Sequence, residues 1–428
     1  MFKGRKTQRG QALILILFGI FGIISLTALA VDGGHAFADR RQAQAAADTA
    51  VLAAALAKVN GYNWQSAALA RAAENGYAAA GPLSTVTVTS PPTGGKYSCA
   101  QIDSTPPAGD ACTEYIQVTI TSSVQTWFAP LVGVNTLTNQ VNAVARAKPA
   151  VSQPMFFGHA MVSLNKTACR AFEFSGSSTT TITSDTGAGV WVNSSCATAL
   201  ANSPQQSFYQ GSGVVSSPSI SVVGGAYYDP SDITLTASSS IGTGATQIAN
   251  VQITWPTPTC TGTASEIGNS GVMNPGNYTS NSPFPPNGIT TLNPGVYCIS
   301  RANVSMNSSI TGQGVMIYVE EGGVSMNGNA KIELSAPTTG QYAGLLFFLP
   351  MDNSSSFTIN GNNQSSWSGM MLAPASHIQM NGSGKPNGVN SQIIGDTVTV
   401  SGDGAVQVHY SDSQNYDGTF PPQIELTQ

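Results

Sequence analysis

Side chains able to do chemistry are scarce and widely separated in this 428-residue chain. The six cysteines, Cys99, Cys112, Cys169, Cys196, Cys260 and Cys298, form no C-x-x-C pair. The four histidines, His35, His159, His377 and His409, stand far apart, so the ligand spacing of a zinc site is missing. An even number of thiols in a chain with an export signal favours disulfides in an oxidising compartment. Sequential pairing, 99–112, 169–196 and 260–298, is the simplest connectivity; the other reading is six separate buried thiols. No glycine-rich phosphate loop, nucleophile elbow or H-E-x-x-H occurs. Glu320, Glu321 and Asp403 are too sparse to build the clustered acids and base of a polysaccharide-cleaving groove. S-G-D-G-A-V-Q-V, Ser401 to Val408, has the look of a calcium-binding repeat but occurs once. Neither catalysis nor a cofactor nor a metal is expected.

Charged residues make up 9% of the chain, against about 25% in ordinary soluble proteins. Net charge is −5, and four of the sixteen basic residues (Lys3, Arg5, Lys6 and Arg9) precede an uncharged run that lasts until Asp32. No other basic cluster exists, so a nucleic-acid partner is not expected. Ala12 to Val31 is apolar enough, at about 1.5 Å per residue, to cross a ~30 Å hydrocarbon core, with membrane lipid as its partner. Ser25 and Thr27 can return their hydroxyls to the helix backbone. The basic flank puts the N-terminal tail in the cytoplasm and everything after Asp32 outside. The alternative is a cleaved signal peptide ending at Ala28-Leu29-Ala30, although the apolar run exceeds the roughly 7–15 residues usual there. Gly33-Gly34 could kink the helix before the alanine-rich stretch to Val59. A second helix is expected over Trp64 to Ala80, stopped by Gly81-Pro82. Asp32 has two readings, as the cap of the helix that follows it or as a subunit contact.

From Ser84 onward helical periodicity is absent. Ser84 to Ser90 and Tyr115 to Phe128 alternate β-branched and polar residues as half-buried strands do. Residues 150–300 are Ser/Thr/Gly/Pro-rich with short strands such as 179–184 and 219–228. The last part repeats: V-S-M-N at Val304, V-S-M-N-G at Val324, F-T-I-N-G at Phe357, I-Q-M-N-G at Ile378 and V-T-V-S-G-D-G at Val398. Successive starts lie 20, 33, 21 and 20 residues apart. A strand recurring at about 20 residues, followed by a turn, is the signature of a parallel β-solenoid; a β-sandwich of similar hairpins is the alternative. The long interval holds Tyr342 to Pro350, read as an extra buried strand.

Arg9-Gly10-Gln11-Ala12-Leu13, the apolar span, Ala30-Val31-Asp32-Gly33, Arg40-Arg41 and Ala45-Ala46-Ala47-Asp48 together resemble the N-terminal segment of TadG-like (TadE/TadG) proteins of Tad (Flp) pilus assembly. Val124 to Ala147 looks like the end of the small head that follows this helix in that family. The resemblance implies a single-pass protein of the bacterial cytoplasmic membrane with its bulk outside, working with other pilus-assembly or pilin-like subunits. It places a candidate processing site at Gly10–Gln11; five residues beyond Gly10, where cleaved pseudopilins carry glutamate, this chain has Leu15. The Asp-x-Ser-x-Ser metal motif of many family members does not occur.

The organisation expected is a basic tail (1–11), a transmembrane helix (12–31) and an alanine-rich helix with a small α+β pilin-like head (32–148). A Ser/Thr/Gly-rich β region (149–290), solenoid repeats (291–415) and a tail (416–428) follow. The fold class is thus an N-terminal helix and α+β head, then mainly β, ending in a right-handed parallel β-helix. The function expected is an envelope-anchored, non-enzymatic structural, assembly or adhesive role. Its rivals are a module binding surface glycans or ice, and a carbohydrate-active enzyme on a β-helix.

Overall fold

The computed structural model describes residues 9–93, 112–198, 203–248, 254–361, 364–382 and 389–427. Two compact units result, Met1–Val151 with Pro421–Gln428, and Ser152–Phe420.

In the first unit, helix α1 runs from Arg9 to Val59, 51 residues or about 77 Å. It continues without interruption through Gly33 and Gly34, where the sequence allowed a kink; a Cβ at either would meet nothing within 4 Å, so nothing local forces the chain aside. The two halves of α1 obey different rules. From Leu13 to Val31 every large apolar side chain is exposed. Ser25 and Thr27 donate their hydroxyls to the carbonyls of Phe21 and Ile23 at 2.8 and 2.9 Å, which removes two polar groups from the helix surface. Beyond Ala43 one face is buried, and Ala43, Ala46, Ala47, Ala50, Ala54 and Ala55 pack on a sheet. Small side chains there let helix and sheet backbones approach closely.

That sheet is antiparallel: β1 (Ser84–Thr89), β2 (Tyr115–Gln125), β3 (Thr136–Lys148) and the C-terminal strand Gln423–Thr427, in that order. The alternation in β2 puts Ile116, Val118 and Ile120 on the buried face. Helix α2 (Trp64–Glu74) begins at Asn63, whose side chain accepts from the Ser66 N–H. It stops at Glu74 instead of reaching Ala80, because Gly76 turns at φ +93° and Tyr77 folds inward to be buried.

The second unit is mainly β, in parallel sheets whose strands fall on three tracks. One track carries the repeats, in register: Val304 beside Val324, Val324 beside Phe357, Phe357 beside Ile378, and Ile378 beside Val398. Positions two apart, such as Val304 and Met306 or Phe357 and Ile359, point into the core. Leu345–Phe348 is no extra strand; it is the regular member of a second track between Val315–Val319 and Met370–Gly382. The largest share of the additional length of that repeat lies in the turn at 336–344, before this strand, and the rest mainly in the connections 327–331 and 349–356.

The repeat track does not end at Val398. Phe172 pairs with Val398, Phe208 with Phe172, and Ala226 with Phe208, all parallel. The second track likewise runs Gly276, Gly295, Val315, Leu345, Met370, Ile393, then Met161, Val190, Ile220 and Gly242. The chain thus enters the stack in its middle, at Met161, and builds outward to Gly242. It then crosses to the far end and builds back until Ile393 meets Met161. The described parts of the crossing lie against the stack: Asn193 bonds both ways with Ile248, and Tyr342 donates to the Thr257 carbonyl. Cys260, at its end, is bridged to Cys298, and Cys169 is bridged to Cys196. Cys99, half of the remaining expected pair with Cys112, lies outside the described residues.

Where the early rungs meet the late ones, glycines stack. Gly402 (φ +105°) lies over Gly382, and a Cβ on Gly176 (φ +77°) would stand 2.6 Å from the Gly402 carbonyl oxygen. Gly176→Ala therefore combines a left-handed backbone with a backbone clash. It should lower the stability of the full chain in detergent by about 1–3 kcal/mol, read from denaturant unfolding.

His159 is buried, its Nδ1 without a hydrogen-bond partner and its ring 5.6 Å from that of Trp191. Burial lowers its pKa to about 4, so the imidazole stays neutral. The unfolded chain takes up this proton near pH 6.5 and the folded chain only near 4. Stability is thus full above about pH 6.5, is lost as pH falls to about 4, and then levels, a loss of about 3 kcal/mol. His159→Leu should flatten that part of the melting-temperature profile.

Candidate functional site

The apolar part of α1 ends at Asp32, its first charged residue after Arg9. A carboxylate there needs partners, and the helix interior offers none. The structure supplies them from the turn between β2 and β3. The Asp32 oxygens accept from the backbone N–H groups of Trp127 (2.7 Å), Phe128 (3.1 Å) and Ala129 (2.7 Å), and the side chain is 5% exposed. These donors open the 3-10 turn Ala129–Val132, which has Pro130 but no capping side chain of its own. Asp32 is therefore a cap, though not of the helix following it in sequence: it lies inside α1 and caps a turn 95 residues away. Burial raises the pKa of this carboxyl. The three N–H donors, with a smaller contribution from His35, outweigh that and hold it below its ordinary value of 3.8.

Two helical turns further on, the same face of α1 presents Asp39. Its carboxylate accepts from Ser122 Oγ at 2.5 Å, Asn139 Nδ2 at 2.8 Å and Tyr77 Oη at 3.1 Å. Asn139 also donates to the Ala36 carbonyl at 2.9 Å. Burial, with Asp39 beside it, drives the Tyr77 hydroxyl well above its usual range, so it remains a donor. Asp32 and Asp39 thus fasten both ends of the β2–β3 hairpin tip to the helix.

The outer side of that tip is apolar. Trp127 is 76% exposed and Leu131 85%, with Phe128 and Val134 partly exposed beside them. No charged residue occurs from Tyr115 to Ala145. The sequence carried one usable signal for this site, an uncapped Phe128-Ala129-Pro130 turn in a chain with a lone carboxylate at the end of its apolar run. Only the fold brings the two together.

Gly10 and Gln11 lie in the first turn of α1. Among the described residues no group of three or more His, Cys, Asp or Glu side chains could hold a metal ion. The second unit carries a polar groove of about 620 Å³ lined by Ser335, Thr338, Gln341, Tyr416 and two carboxylates, Asp412 and Asp417. Burial and the neighbouring Asp412 raise the pKa of Asp417.

Residues 10–57 match the Tad family model, Flp pilus-assembly TadE/G-like, a stretch lying wholly within α1. No curated protein and no solved structure matches the chain. Within α1, from Leu13, is a window of mean hydropathy 2.7, none of it buried in the protein. By length and composition α1 can cross a membrane, and with the family match it fits a membrane-anchored, pilus-related protein.

Because the folded Asp32 carboxyl titrates below 3.8, the unfolded chain binds this proton first as pH falls. The stabilisation is complete above that value and is lost as pH drops through the lower, folded one. Asp32→Asn should lower the melting temperature at neutral pH and reduce the difference from wild type as pH falls below about 4.

Proposed function

We propose that this protein is a subunit of the bacterial cell envelope, held in the cytoplasmic membrane by α1. Its N-terminal tail is cytoplasmic and its bulk extracytoplasmic. It serves a Tad/Flp-type pilus or a related surface apparatus in a structural, assembly or adhesive role, without catalysis. The observation that carries this reading is the match of residues 10–57 to the pilus-assembly family, on a helix with an unburied apolar half. The basic residues before the span support the orientation. The bridges Cys169–Cys196 and Cys260–Cys298 support an oxidising compartment for the second unit.

On this reading the three tracks of parallel strands are the faces of a right-handed β-helix, each repeat adding one coil. The in-register pairing of five repeat strands and the inward alternation of their apolar residues support it. Such a stack offers long rows of small polar side chains, suited to contact with other subunits or with surface glycans. The groove of Asp412 and Asp417 favours a second reading, a glycan-binding module, since paired carboxylates and a nearby Tyr416 can engage sugar hydroxyls and ring faces.

The expected behaviour is that the full chain stays in the membrane pellet after alkaline carbonate washing. Protease added to spheroplasts should remove the second unit and leave an N-terminal tag protected. Recovery of a soluble polypeptide beginning at Val31 would overturn the anchor.

A further inference from the structure

The exposed tip of the β2–β3 hairpin has no use within its own unit. We propose that this tip, Trp127 to Val134, is a second membrane contact that sits in the headgroup region of the leaflet from which α1 emerges. The proposal rests on the reading of α1 as a membrane anchor and adds to it a named surface and its partner, the lipid interface. Three observations carry it. First, the depth of the tip is fixed: three backbone N–H groups of Trp127, Phe128 and Ala129 are bonded to Asp32, the residue directly after the apolar span. Wherever α1 leaves the hydrocarbon, the tip must be at that level. Second, its chemistry suits that level. Trp and Phe with Leu131 and Val134 form the exposed surface, no charge occurs from Tyr115 to Ala145, and aromatic rings concentrate where hydrocarbon meets headgroups. Third, many polar groups of the tip are already bonded: Asp32 takes its leading N–H groups, those of Leu131, Gly133 and Val134 donate to the carbonyls of Phe128, Pro130 and Ala129, and Thr126 Oγ1 donates to the Val134 carbonyl at 2.6 Å. Entering the interface therefore strips few backbone groups of water.

A contact of this kind converts a hinge-like single span into a two-point attachment. The head would be held against rotation about the axis of α1.

The test uses the full chain reconstituted in phosphatidylethanolamine/phosphatidylglycerol vesicles, some with brominated acyl chains. Flotation is measured first, then tryptophan emission, with Trp127→Phe subtracted to isolate Trp127 from Trp64, Trp191, Trp255 and Trp367. The expected result is blue-shifted Trp127 emission, most of it lost in vesicles brominated near the headgroups and little of it reached by aqueous acrylamide. Leu131→Asp, at an exposed position that leaves the fold intact, should red-shift Trp127 and open it to acrylamide without preventing flotation. Asp32→Ala should do the same by releasing the tip. Floating protein whose Trp127 is open to acrylamide and unaffected by bromine refutes the lipid contact and leaves the anchor standing. Shielding from both quenchers assigns the tip to a second copy and also refutes it. Failure to float removes the anchor and this contact together.

Discussion

Asp32 sits where two sets of demands on one helix meet. On its N-terminal side α1 is apolar around its whole circumference and leans on nothing in the protein. On its C-terminal side the same helix lays a stripe of alanines against the sheet, and its other faces carry polar residues together with the exposed Phe37, Leu52 and Leu56. A carboxylate at the join is unfavourable in either setting unless hydrogen-bonded. Three backbone donors from a distant turn resolve this, and in doing so they fix the height of the whole head along α1. Asp39 repeats the arrangement one step further from the apolar span. The position of the hairpin tip along α1 follows from these two carboxylates being satisfied by the sheet.

The second unit is held by a different logic. Its strands repeat one alternation, and the inward positions are mostly apolar, with neutral polar side chains such as Ser163, Thr180, Gln210 and Ser217 at a few of them. Val304, Val324, Phe357, Ile378 and Val398 form one continuous column of side chains, and Phe172 and Phe208 extend it. Close backbone stacking at the corner then demands residues without a Cβ, as at Gly176 and Gly402.

Much of this was legible in the residues themselves. The uncharged run, the alanine stripe and the alternation in β1 and β2 are local patterns, and local patterns report local structure. The repeat strands could be aligned to the residue because V-S-M-N and its variants recur with their turns. What escaped was long-range. Phe172-Glu173-Phe174 and Phe208-Tyr209-Gln210 carry the same inward alternation as the repeats but none of their turn motif, so nothing marked them as neighbours of Val398. The extra residues before Leu345 similarly hid a regular strand behind a long turn. Asp32 was readable as a cap; its target was not, since a cap is normally sought within the following turn and this one lies beyond two helices and two strands.

The route of the chain through the second unit has a consequence for synthesis. The strand at Met161 pairs early with Val190 on one side, but its other border stays open until Ile393 has been made, and the head sheet likewise waits for Gln423–Thr427, made long after β3. Neither sheet is complete until these late strands are made. A nascent chain of this protein therefore carries unpaired strand borders until those late strands are made, and a product cut short between the head and Ile393 would expose them to pairing with other chains.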